Sequence, residues 1–512
     1  MPSDQYTSLP TNDPVGNAFV QFQQGKIQEA ESLLQSVLVD EPNHPDALYG
    51  LGIIYFETER FADSAQYLAR LDSAQPGSKD LLLRLASAYA LADQPSKAVD
   101  TYKKLLTIAP HTPNIHFNLG VMLSDLHRWE EASSAFELAV EQEPGSSETL
   151  LNLADTYDHQ ARFEEAITVW QRAIALAGTV AQDPELHVLI GKRLRLVDRF
   201  EDSVHFFKRA LDIVPNDTEV LFEQHRSMVL NKDLSGAHDC LEKVEALSPN
   251  YEHLAPAWAA VQLGLGRAED ALTTCEKHLQ QYPHDITMLS TRPFILNDLG
   301  SEREQAAIYE NYVYIKELSA ADGFDSIKTF NDALSGHILS HPSLRNSPPR
   351  TTTKNGQQTG ELLVEPKGPV ASLEHMLWEA LDEYRANLSL VAGSANEPCN
   401  EWPKFKGITA WGVVLNAQGH QVPHLHPTGW ISGVYYVDVP DFVSSTDKDH
   451  LGWLEYGAAP PEIPASKQPA TFLIEPKPGR LVLFPSYFFH RTIPYTDTAR
   501  RISIAFDFNP AL

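Results

Sequence analysis

Two histidines stand two residues apart in the stretch VPHLHPTGW, at His424 and His426, and a third, His490, follows 66 residues later in LVLFPSYFFH. Arg500 and Arg501 come ten and eleven residues beyond that. Neutral imidazoles are ligands for divalent metals, whereas two protonated ones side by side repel, so a close pair is most stable neutral and shared with a cation. On a strand, an i, i+2 pair would turn both rings to one face, because strand side chains alternate with period two. A guanidinium, in turn, matches a carboxylate in geometry and charge. Three imidazoles able to converge, with a cation behind them, are hard to explain as core packing. For the H-x-H pair alone, a solvated loop with unrelated histidines stays open.

The segments that must position these residues are β-rich. From about Lys406 the chain runs through GITAWGVVLN, WISGVYYVDV, TFLIEP, GRLVLFPS and RRISIAFDF, separated by turns. In the last of these, Ile502, Ile504, Phe506 and Phe508 form an apolar face, while Arg501, Ser503 and Ala505 form the other. Arg500 falls in line with the apolar set, so Arg501 is the arginine that shares a face with the Ser503 hydroxyl. Tyr436 shares parity with Ser432 and Val434 and is expected to point inward. Upstream, Leu373, Met376, Leu377, Ala380, Leu381 and Tyr384 recur at helical spacing and predict an amphipathic helix. The polar stretch from Phe330 to Leu363 reads as an entry helix followed by irregular chain.

The first three hundred residues follow a different rule. Small residues recur every 34 positions at Ala30, Ser64, Ala98, Ala132 and Ala166. After a three-residue insertion, the series resumes at Ser203, Ala237 and Ala271. Prolines stand twelve residues after most of them, at Pro42, Pro76, Pro110, Pro144, Pro215, Pro249 and Pro283. Each repeat reads as two antiparallel helices that cross at the small residues, with proline ending the second. This period resembles the tetratricopeptide repeat, in about eight repeats and a degenerate ninth over residues 11–314. Residues 1–10 are expected to be disordered. The resemblance implies protein or peptide binding on a concave face. Asn118 and Asn152, at equivalent positions of successive repeats, resemble an amide ladder for a peptide backbone; polar residues on a solvated face are the equal alternative.

Residues 315–512, with a β core at about 406–512, resemble the Fe(II)/2-oxoglutarate dioxygenases. The match is to a branch marked by H-x-H-P, S-G-V-Y-Y, G-x-L-V-L-F-P-S…H and R-I-S-I, all present in this order. The resemblance implies a double-stranded β-helix (jelly roll), with Fe(II) held by His424, His426 and His490. His426 stands where the superfamily has Asp or Glu, so either it is the third ligand or a water takes that place. Arg501 and Ser503 would hold the 2-oxoglutarate C5 carboxylate, with Tyr436 nearby. A protein hydroxylase is the implied activity; the alternative is a scaffold whose β-helix is inactive or cupin-like. Cupins carry a glutamate a few residues after H-x-H, and Thr428 to Ile431 offer none.

Composition bounds the remaining readings. With 512 residues the chain should hold at least two domains. Its net charge of −28 argues against nucleic acid or an anionic membrane as the main partner. Three scattered cysteines, Cys240, Cys275 and Cys399, fit neither a disulfide scaffold nor a thiolate zinc site. The N-terminus has no signal-peptide pattern, so a soluble, cytoplasmic protein is expected.

Overall fold

The computed structural model describes residues 13–511 apart from 113, 177, 302–307, 347–351, 392–401, 442, 444–447, 468 and 496–498. The expected disordered N-terminus and Cys399 lie outside the described residues. The chain divides into two compact units, 1–199 and 200–512.

In the first unit the 34-residue period becomes helix pairs. Pro14–Gln23 packs with Ile27–Asp40, Pro45–Glu57 with Phe61–Ala74, and Lys79–Leu91 with Pro95–Ile108. Ile115–Asp125 then packs with Trp129–Gln142, and Ser147–His159 with Phe163–Ala175. The recurring small residues Ala30, Ser64, Ala98, Ala132 and Ala166 are fully buried. Gly52 shows why the partner position must also be small: a Cβ there would lie 2.4 Å from Leu68 Cδ2 across the helix crossing. Each proline of the series in this unit stands two residues past its helix, after Asp40, Ala74, Ile108 and Gln142, where it cannot continue the backbone ladder. The repeat without proline instead runs past Gly178, at φ +94°, into a 3-10 turn at Thr179–Gln182.

The second unit opens with the helix Phe200–Ile213, packed against Thr218–Leu230, and continues with the pairs Thr218–Leu230 with Leu234–Leu247 and Leu254–Gly264 with Ala268–Gln281, followed by Ile286–Asp298. Its strands are β1 (Tyr314–Glu317), β2 (Arg345–Asn346), β3 (Thr353–Gln358), β4 (Phe405–Gln421) and β5 (Ile431–Asp438). They continue with β6 (Leu454–Tyr456), β7 (Phe472–Ile474), β8 (Arg480–Pro485), β9 (His490–Thr492) and β10 (Arg501–Pro510). One antiparallel sheet has the order β1-β8-β5-β10-β4-β3-β2 and the other β7-β6-β9. The molecule is thus an array of helix pairs followed by a mainly β domain of two sheets with flanking helices. The stretch expected to be irregular before the β core instead contributes β2 and β3 to the main sheet, and β1 caps its far edge.

The helix Val370–Val391 lays the expected face, Leu373 to Tyr384, into the core with Ile502, Ile504, Phe506 and Phe508. The loop after β6 reaches the helices of this same unit. Ile463 is buried among Ala259, Leu263, Cys275, Phe294 and Ile295. Pro464 lies so close to Gly264 that a Cβ there would sit 2.6 Å from its ring. The Asp298 carboxylate accepts from Ser466 Oγ (2.6 Å) and the Lys467 amide (3.0 Å), while its backbone carbonyl accepts from Lys467 Nζ (2.6 Å). No helix among the described residues is long and apolar enough to cross a membrane.

Candidate metal centre

One of the three histidines stands on a strand of the smaller sheet and the other two on the segment between β4 and β5. His490 opens β9, and His424 lies beyond the end of β4, joined to His490 by paired backbone bonds of 3.0 and 2.9 Å. His426 is anchored by its own amide donating to the Ser486 carbonyl at 3.0 Å. The H-x-H pair therefore sits on an irregular segment with one bridge, not on a regular strand, yet its rings still converge. Ring centroids are 5.3 Å apart for His424 and His426, 4.3 Å for His424 and His490, and 5.1 Å for His426 and His490. One ring nitrogen from each lies within 4.8 Å of the other two.

Hydrogen bonding decides which nitrogen faces inward. His424 Nδ1 lies 2.8 Å from the Val422 carbonyl, and His490 Nδ1 lies 2.9 Å from the Phe488 carbonyl. A carbonyl only accepts, so each Nδ1 carries the proton and leaves the Nε2 lone pair for a metal. His426 Nδ1 faces the Asp507 carboxylate in the same way. Outer acceptors of this kind orient metal-ligating histidines. Burial and the neighbouring His426 push the His424 imidazolium down to about 4. Burial, then the other two histidines, holds His490 well below its ordinary value. His424 and His490 are thus neutral at physiological pH, the form that binds metal.

The triad lines a small cavity together with Tyr436, Arg501, Ser503, Thr492 and Gln421. Arg501 is 2 % exposed, and among the described residues no carboxylate pairs with it. One Nη donates to the Gly452 carbonyl at 2.7 Å, and the guanidinium carbon stands 4.9 Å from the centre of the Tyr436 ring. Arg501 Nε and the Tyr436 hydroxyl are buried without a hydrogen-bond partner among the described residues. A buried cation beside orphaned donors fits an anionic ligand, since such groups otherwise carry a desolvation cost of roughly 1–3 kcal/mol, and more where charged. Ser503 lies beside Arg501 at the cavity, as strand alternation predicts. Arg500 precedes β10 and is exposed, so it does not share the apolar face. The donor set suits a hard or borderline divalent ion with an acid at one end of the cavity.

Asn118 and Asn152 are half-buried. Asn152 donates to the Glu148 carbonyl of its own helix (2.9 Å), so one side of its amide already has a local partner. Asp507, Ser432 and Ser486, which back the triad, were not singled out from the sequence. Continuing the β10 alternation two residues past Ala505 reaches Asp507.

The comparisons with known proteins agree with this division. The family model described as "Putative 2OG-Fe(II) oxygenase" matches residues 409–507, and tetratricopeptide repeat models match 21–77, 80–112 and 117–184. The chain therefore carries tetratricopeptide repeats in its N-terminal half and, at 409–507, a domain of that oxygenase type. It is similar to "TPR repeat-containing protein YpiA" of Bacillus subtilis (strain 168), 21% identical over 285 residues, covering 54% of this chain and 64% of that one. It is also similar to "Tetratricopeptide repeat protein 21B" of Homo sapiens, 23% identical over 215 residues, 40% of this chain and 16% of that one. The chain thus spans less than two thirds of the length of these curated relatives. Among solved structures, "YrrB: a TPR protein with an unusual peptide-binding site" is 21% identical, with a TM-score of 0.30, over 32% of this chain and 84% of that one. "MamA 41-end from Desulfovibrio magneticus RS-1" is 17% identical, with a TM-score of 0.30, over 33% and 93%.

Proposed function

We propose that the chain is an Fe(II)- and 2-oxoglutarate-dependent oxygenase that hydroxylates a protein substrate held by its repeats. The observation that carries the reading is the shared cavity: three converging imidazoles together with a buried Arg501 that no carboxylate pairs with among the described residues. Fe(II), with 2-oxoglutarate and O₂ as cosubstrates, would supply oxidative decarboxylation of the 2-oxo acid to succinate and CO₂, one atom of O₂ going to succinate and the other into a C–H bond of the substrate. His424, His426 and His490 would hold the metal through Nε2. Arg501 would take the distal carboxylate of the acid, with Ser503 beside it and the Tyr436 hydroxyl supplying a further donor. Phe484, edge-on to His490 at 4.8 Å, and Trp411, 5.6 Å from His426, wall the centre with apolar surface and limit access of water. The buried Arg501 in the same cavity favours this over a cupin-like reading, which needs no buried cation.

Residues 11–314 as a repeat array and 315–512 as the oxygenase domain are our proposed division of labour. The loop from β6 buried among the helices after Phe200 implies that an excised 315–512 fragment would expose Ile463 and break the Asp298 contacts, so the full chain is the form to assay. A repeat array presents a long surface suited to an extended peptide, and holding a substrate raises the effective concentration of its target residue. The test is 2-oxoglutarate-dependent succinate formation by the iron-loaded full chain across fractionated proteins. Stimulation by a protein fraction supports the reading; none by any fraction, with iron and 2-oxoglutarate bound, removes the protein substrate from it. Replacing both Asn118 and Asn152 by alanine should raise KM for that substrate, by about 0.5–1.5 kcal/mol per lost hydrogen bond. An unchanged KM would place the peptide elsewhere.

A further inference from the structure

The ligand set inferred above is short of one negative charge: His426 stands where a carboxylate would otherwise neutralise part of the metal's charge. The structure places a carboxylate one hydrogen bond away. Asp507 is 5 % exposed and lies on the cavity-facing side of β10, in line with Arg501, Ser503 and Ala505. Its Oδ1 accepts from His426 Nδ1 and, at 2.6 Å, from the hydroxyl of Ser432. Ser432 is its direct cross-strand partner on β5, and its hydroxyl is in turn 2.8 Å from that of Ser486. The Ser486 carbonyl holds the His426 amide, so ring and backbone of this histidine are fixed by one connected network. Among the described residues, no lysine or arginine pairs with Asp507, and its side chain is bonded to His426.

We propose that Asp507 is the positioning residue of the centre. It fixes the His426 ring with Nε2 toward the metal and returns, through the imidazole, the negative charge that a carboxylate ligand would supply directly. A carboxylate behind a histidine raises that ligand's basicity and locks its tautomer. It also excludes the arrangement in which His426 turns away and a water replaces it, because turning would strand a buried carboxylate on a single hydroxyl. The inference rests on the metal reading, and the experiment separates the two.

The probe is Co(II), titrated anaerobically into the full chain and into Asp507→Ala and Asp507→Asn, with affinity read by calorimetry and coordination by the visible ligand-field spectrum. Asp507→Ala should weaken binding by roughly 10–100-fold, the range for loss of such outer partners, and alter the spectrum as His426 loosens. Asp507→Asn keeps an acceptor for Nδ1–H but not the charge, so it should keep the spectrum's form and bind with intermediate affinity. Parent-like affinity and spectrum in Asp507→Ala would overturn the inference while leaving the metal site standing. Absence of Co(II) binding by the parent chain would instead overturn the metal reading itself. Should Asp507→Ala lose its near-ultraviolet dichroism, Asp507→Asn decides alone: parent-like affinity overturns the charge role, and weakened affinity with an intact fold supports it.

Discussion

Alanine at His424 or at His490 should leave the chain folded and without stoichiometric iron. Each imidazole is one of three inward nitrogens within 4.8 Å, so its loss leaves two, too few to hold a facial ion against water. The expected fall in affinity exceeds the roughly 10–100-fold cost of losing an outer partner. The fold should survive because the two residues are tied together through backbone atoms, His424 N to His490 O and the reverse, which alanine retains. Metal content after anaerobic reconstitution, on variants shown by circular dichroism to be folded, reads the result. Full occupancy in both variants would put the site elsewhere.

The second large effect is at Arg501. Removing this guanidinium while Arg500 is kept should raise KM for 2-oxoglutarate by about 2–5 kcal/mol, the range for truncating one partner of a buried charge pair. That corresponds to roughly 30-fold or far more. Arg500→Ala is the internal control, since that side chain lies outside the strand and in solvent. Arg501→Lys should recover only part of the loss, because an ammonium cannot offer the paired donors of the guanidinium. Apparent KM from succinate formation at saturating iron is the measurement. Equal effects at the two arginines, or a larger one at Arg500, would remove Arg501 from the anion site.

The contrast between Arg501 and Asp507 shows where the sequence is readable. β10 is long and alternates cleanly, so its apolar set and the Arg501–Ser503 face follow from period two alone. Asp507 shares that face, but an aspartate in FDFNP also reads as a turn signal near a strand end, and its role depends on a histidine 81 residues away. The repeats were legible for a similar reason: one steric demand, seen at Gly52 against Leu68, recurs every 34 residues. Strands β6 and β9, at three residues each, are too short to show a period, although β9 begins with His490 of the candidate triad. β3, TKNGQQ, pairs near the sheet margin with polar residues that carry no strand pattern. Nothing local announces that Ile463 will be buried among helices some 200 residues earlier, or that Asp298 will cap the same loop. Such contacts are set by tertiary packing alone.

The central claim, that one cavity holds Fe(II) and 2-oxoglutarate together, is tested most directly by an anaerobic calorimetric titration. 2-Oxoglutarate would be added to the full chain with and without one equivalent of Fe(II). The account predicts one metal per chain and tight 2-oxoglutarate binding only when the metal is present, since the triad and Arg501 then engage opposite ends of one molecule. Iron binding with no 2-oxoglutarate binding in either state would contradict it and leave a metal-binding scaffold in its place.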